Sequence, residues 1–418
     1  MQTRHPRGNR GTTSGFRKDF KRNSTSSFRG SSSRPSGGGF SRGRGNFSKR
    51  RVSSFDASRY INKNVISSEP EVYTPKHNFN EFGLSSLITA VLSSAHFTSP
   101  TPIQDQIIPF IMNGRDVIGL ANTGTGKTAA FLLPLIHKTL NDKKMQTLIL
   151  APTRELAIQI DKELHVLSRG MRLFSVTCVG GTSIGGQLSA LRQFNHFIIG
   201  TPGRVQDLIN RKALKLGNVR AVVLDEADRM LDMGFIGPIR TILKETPHNR
   251  QTLFFSATMS DEIKKLVSEF LKQHEIVSVK KHDTASGIEQ DVIHYGTREK
   301  IDVLIELLKQ KGFDRVLVFG ETKHGVEKLS KALIAHGIRA ISIHGNKSHP
   351  QRQRALKSFK DGFSTVLVAT DVAARGIHVD KITHVINYDL PMTYDDYIHR
   401  IGRTGRIEHK GKALTFIR

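Results

Sequence analysis

The chain has 418 residues and a formal net charge of +26 at pH 7, with 63 Lys+Arg against 37 Asp+Glu and one cysteine. That length suits two domains of ordinary size, and so large a positive excess points to a polyanionic partner. The lone Cys178, in an apolar stretch, excludes an internal disulfide and a cysteine zinc cluster. No apolar run is long enough to cross a bilayer and no hydrophobic signal core opens the chain, so a soluble cytoplasmic protein is expected.

Residues 1–50 contain no Leu, Ile, Val, Ala or Cys and cannot build a core. Arg, Ser and Gly dominate, which predicts a disordered basic tail over residues 1–72. This tail carries 16 Lys+Arg against 4 Asp+Glu, so +12 of the +26 lies in it. Phe16, Phe20, Phe28, Phe40 and Phe47, spaced among arginines, suit stacking on single-stranded bases. A purely solubilising tail and an organelle transit peptide are the alternatives, and the lack of Leu and Ala for an amphipathic helix weighs against the second. Over residues 73–282 short aliphatic strands such as Thr147–Leu150, His196–Ile199 and Thr252–Phe255 alternate with helical stretches. Residues 283–288 read as a linker. The alternation resumes over 289–418 with Val316–Phe319, Ala340–Ile343, Thr365–Val368 and His384–Asn387. Two tandem α/β domains with mostly parallel sheets are predicted.

Two local patterns carry chemistry. Ala121-Asn122-Thr123-Gly124-Thr125-Gly126-Lys127-Thr128 lies between an apolar run and a helical one. Gly124 and Gly126 let backbone N–H groups close around phosphate oxygens at a helix N-terminus. Lys127 would reach the β/γ-phosphates, and the Thr128 hydroxyl would bind Mg²⁺. The other pattern, Asp225-Glu226-Ala227-Asp228, follows the aliphatic run Ala221–Leu224 and falls at a strand's C-terminal end. Asp225 is expected to hold Mg²⁺, and Glu226 to orient and deprotonate the attacking water. Together they predict a nucleoside triphosphatase. The second domain has no phosphate loop of its own, which puts the site in the cleft between domains.

With these motifs in order, the chain from about Asn78 to its last residue resembles a DEAD-box RNA helicase. Ala121, where the general phosphate loop has glycine, matches that family. The resemblance implies two RecA-like domains, with ATP bound by Phe79, Gln104, the loop residues Ala121 to Thr128, Asp371 and Arg375. Gln104, within Phe97–Gln104, would read the adenine edge, and Phe79 would stack on the base. Thr153, Arg154, Gly180, Gly181, Thr201, Pro202, Gly203 and Arg204 match the RNA-contacting motifs of the first domain, and Phe319, Thr322, Arg352 and Thr370 those of the second. Asp228, Ser256, Thr258 and His399 would couple ATP to closure, with Asp371 and Arg375 helping to hold the interdomain arrangement. Arg403 and Arg406 would be arginine fingers, with an RNA-phosphate role as the alternative. His96, His349 and His378 stand where the family usually has Gly, Gln and Asp. The wording after His344 resembles the bacterial RhlE-like subgroup. The chain stops on what should be its last strand, from which no C-terminal targeting domain is expected.

These features predict an RNA-stimulated ATPase that unwinds short duplexes locally and non-processively, as a monomer with little sequence preference, on RNA of ribosomal or RNA-decay assemblies. An ATP-gated RNA clamp, a protein acting mainly through its tail, and a DNA helicase are the alternatives.

Overall fold

Short aliphatic runs build two parallel sheets in this computed structural model, which describes residues 61, 73–122, 124–271, 273–279, 288–374, 379, 381–405 and 411–418. Of the residues singled out above, Thr123, Arg375, His378 and Arg406 lie outside the described residues, as does the 1–72 tail apart from residue 61. The first sheet contains β1 (Asp116–Leu120), β2 (Gln146–Leu150), β3 (Ser175–Cys178), β4 (Phe197–Gly200), β5 (Val219–Leu224), β6 (Gln251–Ser256) and β7 (His274–Ser278). Their order is β3-β4-β2-β5-β6-β1-β7. The second contains β8 (Ile288–His294), β9 (Val316–Phe319), β10 (Ala340–Ile343), β11 (Val366–Ala369), β12 (His384–Asn387) and β13 (Gly411–Ile417), ordered β10-β11-β9-β12-β13-β8. Ile288, assigned to the linker from sequence, opens β8.

Strands buried on both faces need apolar residues at both parities. In the first sheet Ile149, Val223 and Phe255 pack on one face with Phe131, while Leu148, Val222 and Phe254 pack on the other. The second sheet repeats this division: Val316, Val318 and Val368 face one helical layer, and Leu317, Phe319 and Leu367 the other. Because the strands are parallel, the segments that follow them gather at one sheet edge. β6 pairs with both β1 and β5, so the phosphate loop and the acidic tetrapeptide flank the turn after β6. Among the described residues no helix is long and apolar enough to cross a membrane.

Candidate nucleotide and RNA site

The phosphate loop closes on itself. Gly124 and Gly126 adopt φ of 87° and 92°, a backbone that side chains with Cβ rarely enter. The Thr125 hydroxyl donates to the Asn122 carbonyl at 2.9 Å, and Ala121 N–H donates to the Ser256 carbonyl at 3.0 Å. Lys127, 6% exposed, opens the helix Lys127–Asn141, and its ammonium donates to the Ala121 carbonyl at 2.8 Å. Gln104 is buried against this loop: its amide donates to the Gly126 carbonyl at 3.1 Å, and its oxygen accepts from Thr101 N–H at 3.0 Å. Gln104 therefore braces the loop and caps its own helix, work that the adenine-reading expectation did not include. Phe79 is buried edge-on to Phe82 and Phe97, at 6.1 and 6.0 Å between ring centroids. Its segment is held by Asp105, which accepts from the Tyr73 hydroxyl and from the N–H groups of Lys76 (2.8 Å) and His77 (3.1 Å). His96 sits at φ 59°, in the left-handed region that favours glycine.

At the end of β5, Asp225 is buried and its Oδ1 has no hydrogen-bond partner. Burial pushes its carboxyl up to about 6, with Lys127 opposing the shift and Glu226 adding to it. A buried, orphan carboxylate oxygen at this strand end fits a hard divalent cation that keeps water and phosphate ligands. Among the described residues no group of three or more His, Cys, Asp or Glu could hold a metal by itself, and an ion held largely by substrate phosphates requires none. Glu226 adopts the left-handed φ of 53°, uncommon for a residue with a side chain. Its Oε2 accepts from Arg229 Nη1 at 2.9 Å, a pair in which both side chains are almost fully buried. Asp228 accepts from the N–H groups of Ala257 (2.9 Å) and Thr258 (3.2 Å), and the Ser256 hydroxyl donates to the Thr258 carbonyl at 2.7 Å. The acidic tetrapeptide is thus bonded directly to the turn predicted to couple it.

The second domain meets this cluster. Arg403 and His399 line one narrow hollow with Arg229. Burial lowers the His399 pKa, and the Arg229 charge adds to that while Asp228 opposes it. Arg352 Nη2 lies 3.1 Å from Glu155 Oε2 in the first domain. Both Glu155 oxygens lack a hydrogen-bond donor, so this is a Coulombic contact across the cleft; Arg352, expected to touch RNA, is engaged here with protein. Phe319, also expected to touch RNA, is 2% exposed, with the Arg400 guanidinium 5.0 Å from its ring centroid, and lines the same hollow as Arg229, His399 and Arg403.

The remaining predicted RNA contacts lie where the first-domain strands end. Thr153 caps the helix Arg154–Leu167, accepting from Leu156 N–H at 3.3 Å. Arg154 lies across Gly180 and Gly181; a Cβ on Gly181, whose φ is 72°, would fall 1.8 Å from its Nη1. Thr201 and Pro202 start the helix Pro202–Asn210, whose first turn contains Gly203, and Arg204 Nη1 is buried without a hydrogen-bond partner. In the second domain Thr322 caps the helix Lys323–Ala335, and Thr370 is buried at the end of β11. His349, with Nδ1 buried and unpartnered, begins a helix capped by Ser348 and Gln351.

Three neighbours were missed from sequence. Arg400, 3% exposed, grips Asp371 with two bonds of 2.6 and 2.7 Å, so Asp371 is tied within its own domain. Arg229 holds Glu226. Glu163 lies near Asp225 and Thr128: burial raises its carboxyl to about 7, with Asp225 adding to the shift and Thr128 opposing it. Arg400 and Arg229 adjoin recognised motifs, which was the available signal; Glu163 lies mid-helix, where only the three-dimensional packing identifies it.

The family model described as DEAD/DEAH box helicase matches residues 101–266, and the helicase conserved C-terminal domain matches residues 299–408. The ATP-dependent RNA helicase CshA of Listeria monocytogenes is 48% identical over 343 residues, covering 81% of this chain and 66% of its own length. CshA of Limosilactobacillus reuteri is 45% identical over 341 residues, covering 81% and 69%. This chain thus spans about two thirds of the length of these relatives. The structure of S. cerevisiae Dbp5 bound to RNA and ADP BeF3 is 31% identical, with a TM-score of 0.73, covering 82% of this chain and 89% of Dbp5. These relatives carry the CshA name, so the RhlE-like likeness rests on the residues after His344 alone. The two matched domains, the fold and these identities converge: the chain belongs to the DEAD-box family of ATP-dependent RNA helicases.

Proposed function

We propose that the chain hydrolyses ATP in the cleft around Lys127, Asp225 and Glu226 and uses domain closure to separate short RNA duplexes locally and non-processively. The observation that carries this reading is the continuous path from Glu226 through Arg229 and Asp228 to the 256–258 turn on one side and to His399 and Arg403 on the other. Lys127 neutralises the terminal phosphates, Glu226 orients the attacking water and takes its proton, and Arg403 neutralises charge on the transferring group only when the cleft is shut. A bound Mg²⁺, held through Asp225 and Thr128, supplies further charge neutralisation at the phosphate oxygens. Arg154 and Arg204 bind RNA phosphates, contacts that carry no base information. ATP and RNA each favour the closed form, so each tightens the other's binding. The chain works in the cytoplasm as a monomer on ribosomal or RNA-decay assemblies; the His344–Ser348 segment favours an RhlE-like relationship, whereas overall identity favours CshA. A duplex-unwinding assay tests the reading. Wild type should separate a short RNA duplex only with ATP; Lys127→Ala should lose ATP binding and unwinding, and Glu226→Gln should hold ATP and RNA without turnover. Unwinding by Lys127→Ala would refute the site. The Arg352–Glu155 contact across the cleft favours a second reading, an ATP-gated clamp; RNA retention with ATP but no strand separation would select it.

A further inference from the structure

The edge of the first sheet opposite the phosphate loop, where β2, β3 and β4 begin, is occupied by none of the helicase motifs. A hollow of about 640 Å³ opens there. Its lining includes Arg192, Lys212 and Lys215 together with Phe194 and Asn195, and no acidic side chain among the described residues lines it. Phe194 continues into a ladder of rings. It meets His196 at 5.1 Å, nearly perpendicular, and His196 stacks on Phe174 at 5.8 Å and 24°. The outer rings face solvent, Phe174 at 59% exposure and Phe194 at 43%, while the imidazole between them is buried. That imidazole is fixed, since its Nδ1 accepts from Phe174 N–H at 3.1 Å. Lone exposed hydrophobics are ordinary, but rings in mutual contact beside a wall of one charge sign mark an interaction surface. Cations suit phosphates, and open aromatic faces suit bases of any sequence. An acidic polypeptide would use the cations and leave the rings idle.

We propose that this hollow and the Phe174–His196–Phe194 ladder form an auxiliary single-stranded RNA site, which holds a flanking stretch of the strand bound in the cleft. The proposal rests on the helicase reading above. The length of β4 separates the ladder from Thr201, roughly 13 Å along the sheet, so only RNA longer than the cleft's own footprint reaches both places. The test measures binding of the full chain to oligouridylates of about 10 and about 30 nucleotides, for wild type, Phe174→Ala/Phe194→Ala and Arg192→Glu/Lys212→Glu. Each double variant should bind the long strand about tenfold more weakly. Binding of the short strand, and ATP hydrolysis stimulated by it, should stay within about twofold of wild type in both. Short-strand stimulation of the wild type, measured alongside, reports on the helicase reading independently. Unchanged long-strand affinity in both variants overturns the proposal. So does polyglutamate binding that Arg192→Glu/Lys212→Glu abolishes while long-RNA affinity persists, which would assign the hollow to an acidic polypeptide.

Discussion

Replacing Arg400 by alanine removes one side chain that serves four acceptors. Its guanidinium makes the paired bonds to Asp371 and also donates to Asn387 Oδ1 at 3.2 Å and to the Asp389 carbonyl at 2.6 Å. Breaking a buried ion pair from one side costs roughly 3–5 kcal/mol. The Asp371 side chain is 29% exposed and can rehydrate, which reduces that figure. Asn387 is fully buried and loses a donor, which restores about 1 kcal/mol. A net loss of about 3 kcal/mol is expected for the second domain. With a urea slope of about 2 kcal/mol/M, its unfolding midpoint should fall by about 1.5 M. Circular dichroism of the full chain in urea reads this, as the later or earlier of two steps if the domains melt separately. Arg400→Lys should recover only part of the loss, because one ammonium cannot span both carboxylate oxygens and the two carbonyls. An unshifted midpoint combined with lost ATP hydrolysis would refute the anchoring role and make Arg400 a substrate contact.

Gly200→Ala places a Cβ 2.5 Å from the Cys178 carbonyl oxygen and 2.7 Å from Val205 Cγ2; with backbone as the obstacle, a loss of about 2 kcal/mol is expected by urea titration. Gly203→Ala, whose nearest neighbour is Phe235 at 3.9 Å, should leave that midpoint unchanged. His96→Gly relieves the left-handed φ of 59° and should raise thermal stability or leave it level, whereas His96→Val should lower it by about 1 kcal/mol or more. His384 is buried and stacked on Phe313, and burial, reinforced by Lys412, pushes its pKa down to about 4. The unfolded chain then binds the extra proton between about pH 4 and 6.5, so this contribution is complete above pH 6.5 and is lost as pH falls towards 4. Unfolding free energies at several pH values should show a slope in that window that His384→Phe flattens.

The parts of the site legible in the sequence were those set by short spacing. Glycines before Lys127-Thr128 and two carboxylates after an aliphatic run dictate local geometry wherever they occur. The two-sheet α/β fold was legible for the same reason, through apolar runs of both parities. Pairings made by the tertiary fold were not. Nothing near Gln104 in sequence announces the Gly126 carbonyl, and nothing near Arg352 announces Glu155. Nothing near Phe319 announces the Arg400 guanidinium over its ring either, although its burial follows from its place at the end of a strand buried on both faces. Arg400 lies in the last turn of the helix Tyr394–Ile401, and Arg403, expected as an arginine finger, follows just past that helix's end.

The most direct test of coupling between the nucleotide cleft and RNA is ATP hydrolysis by the purified chain with no nucleic acid, with single-stranded RNA and with a DNA strand of equal length, at moderate salt. Strong stimulation by RNA and little by DNA is the predicted result. Hydrolysis indifferent to RNA would contradict it, because the path from Asp228 to the second domain would then transmit nothing.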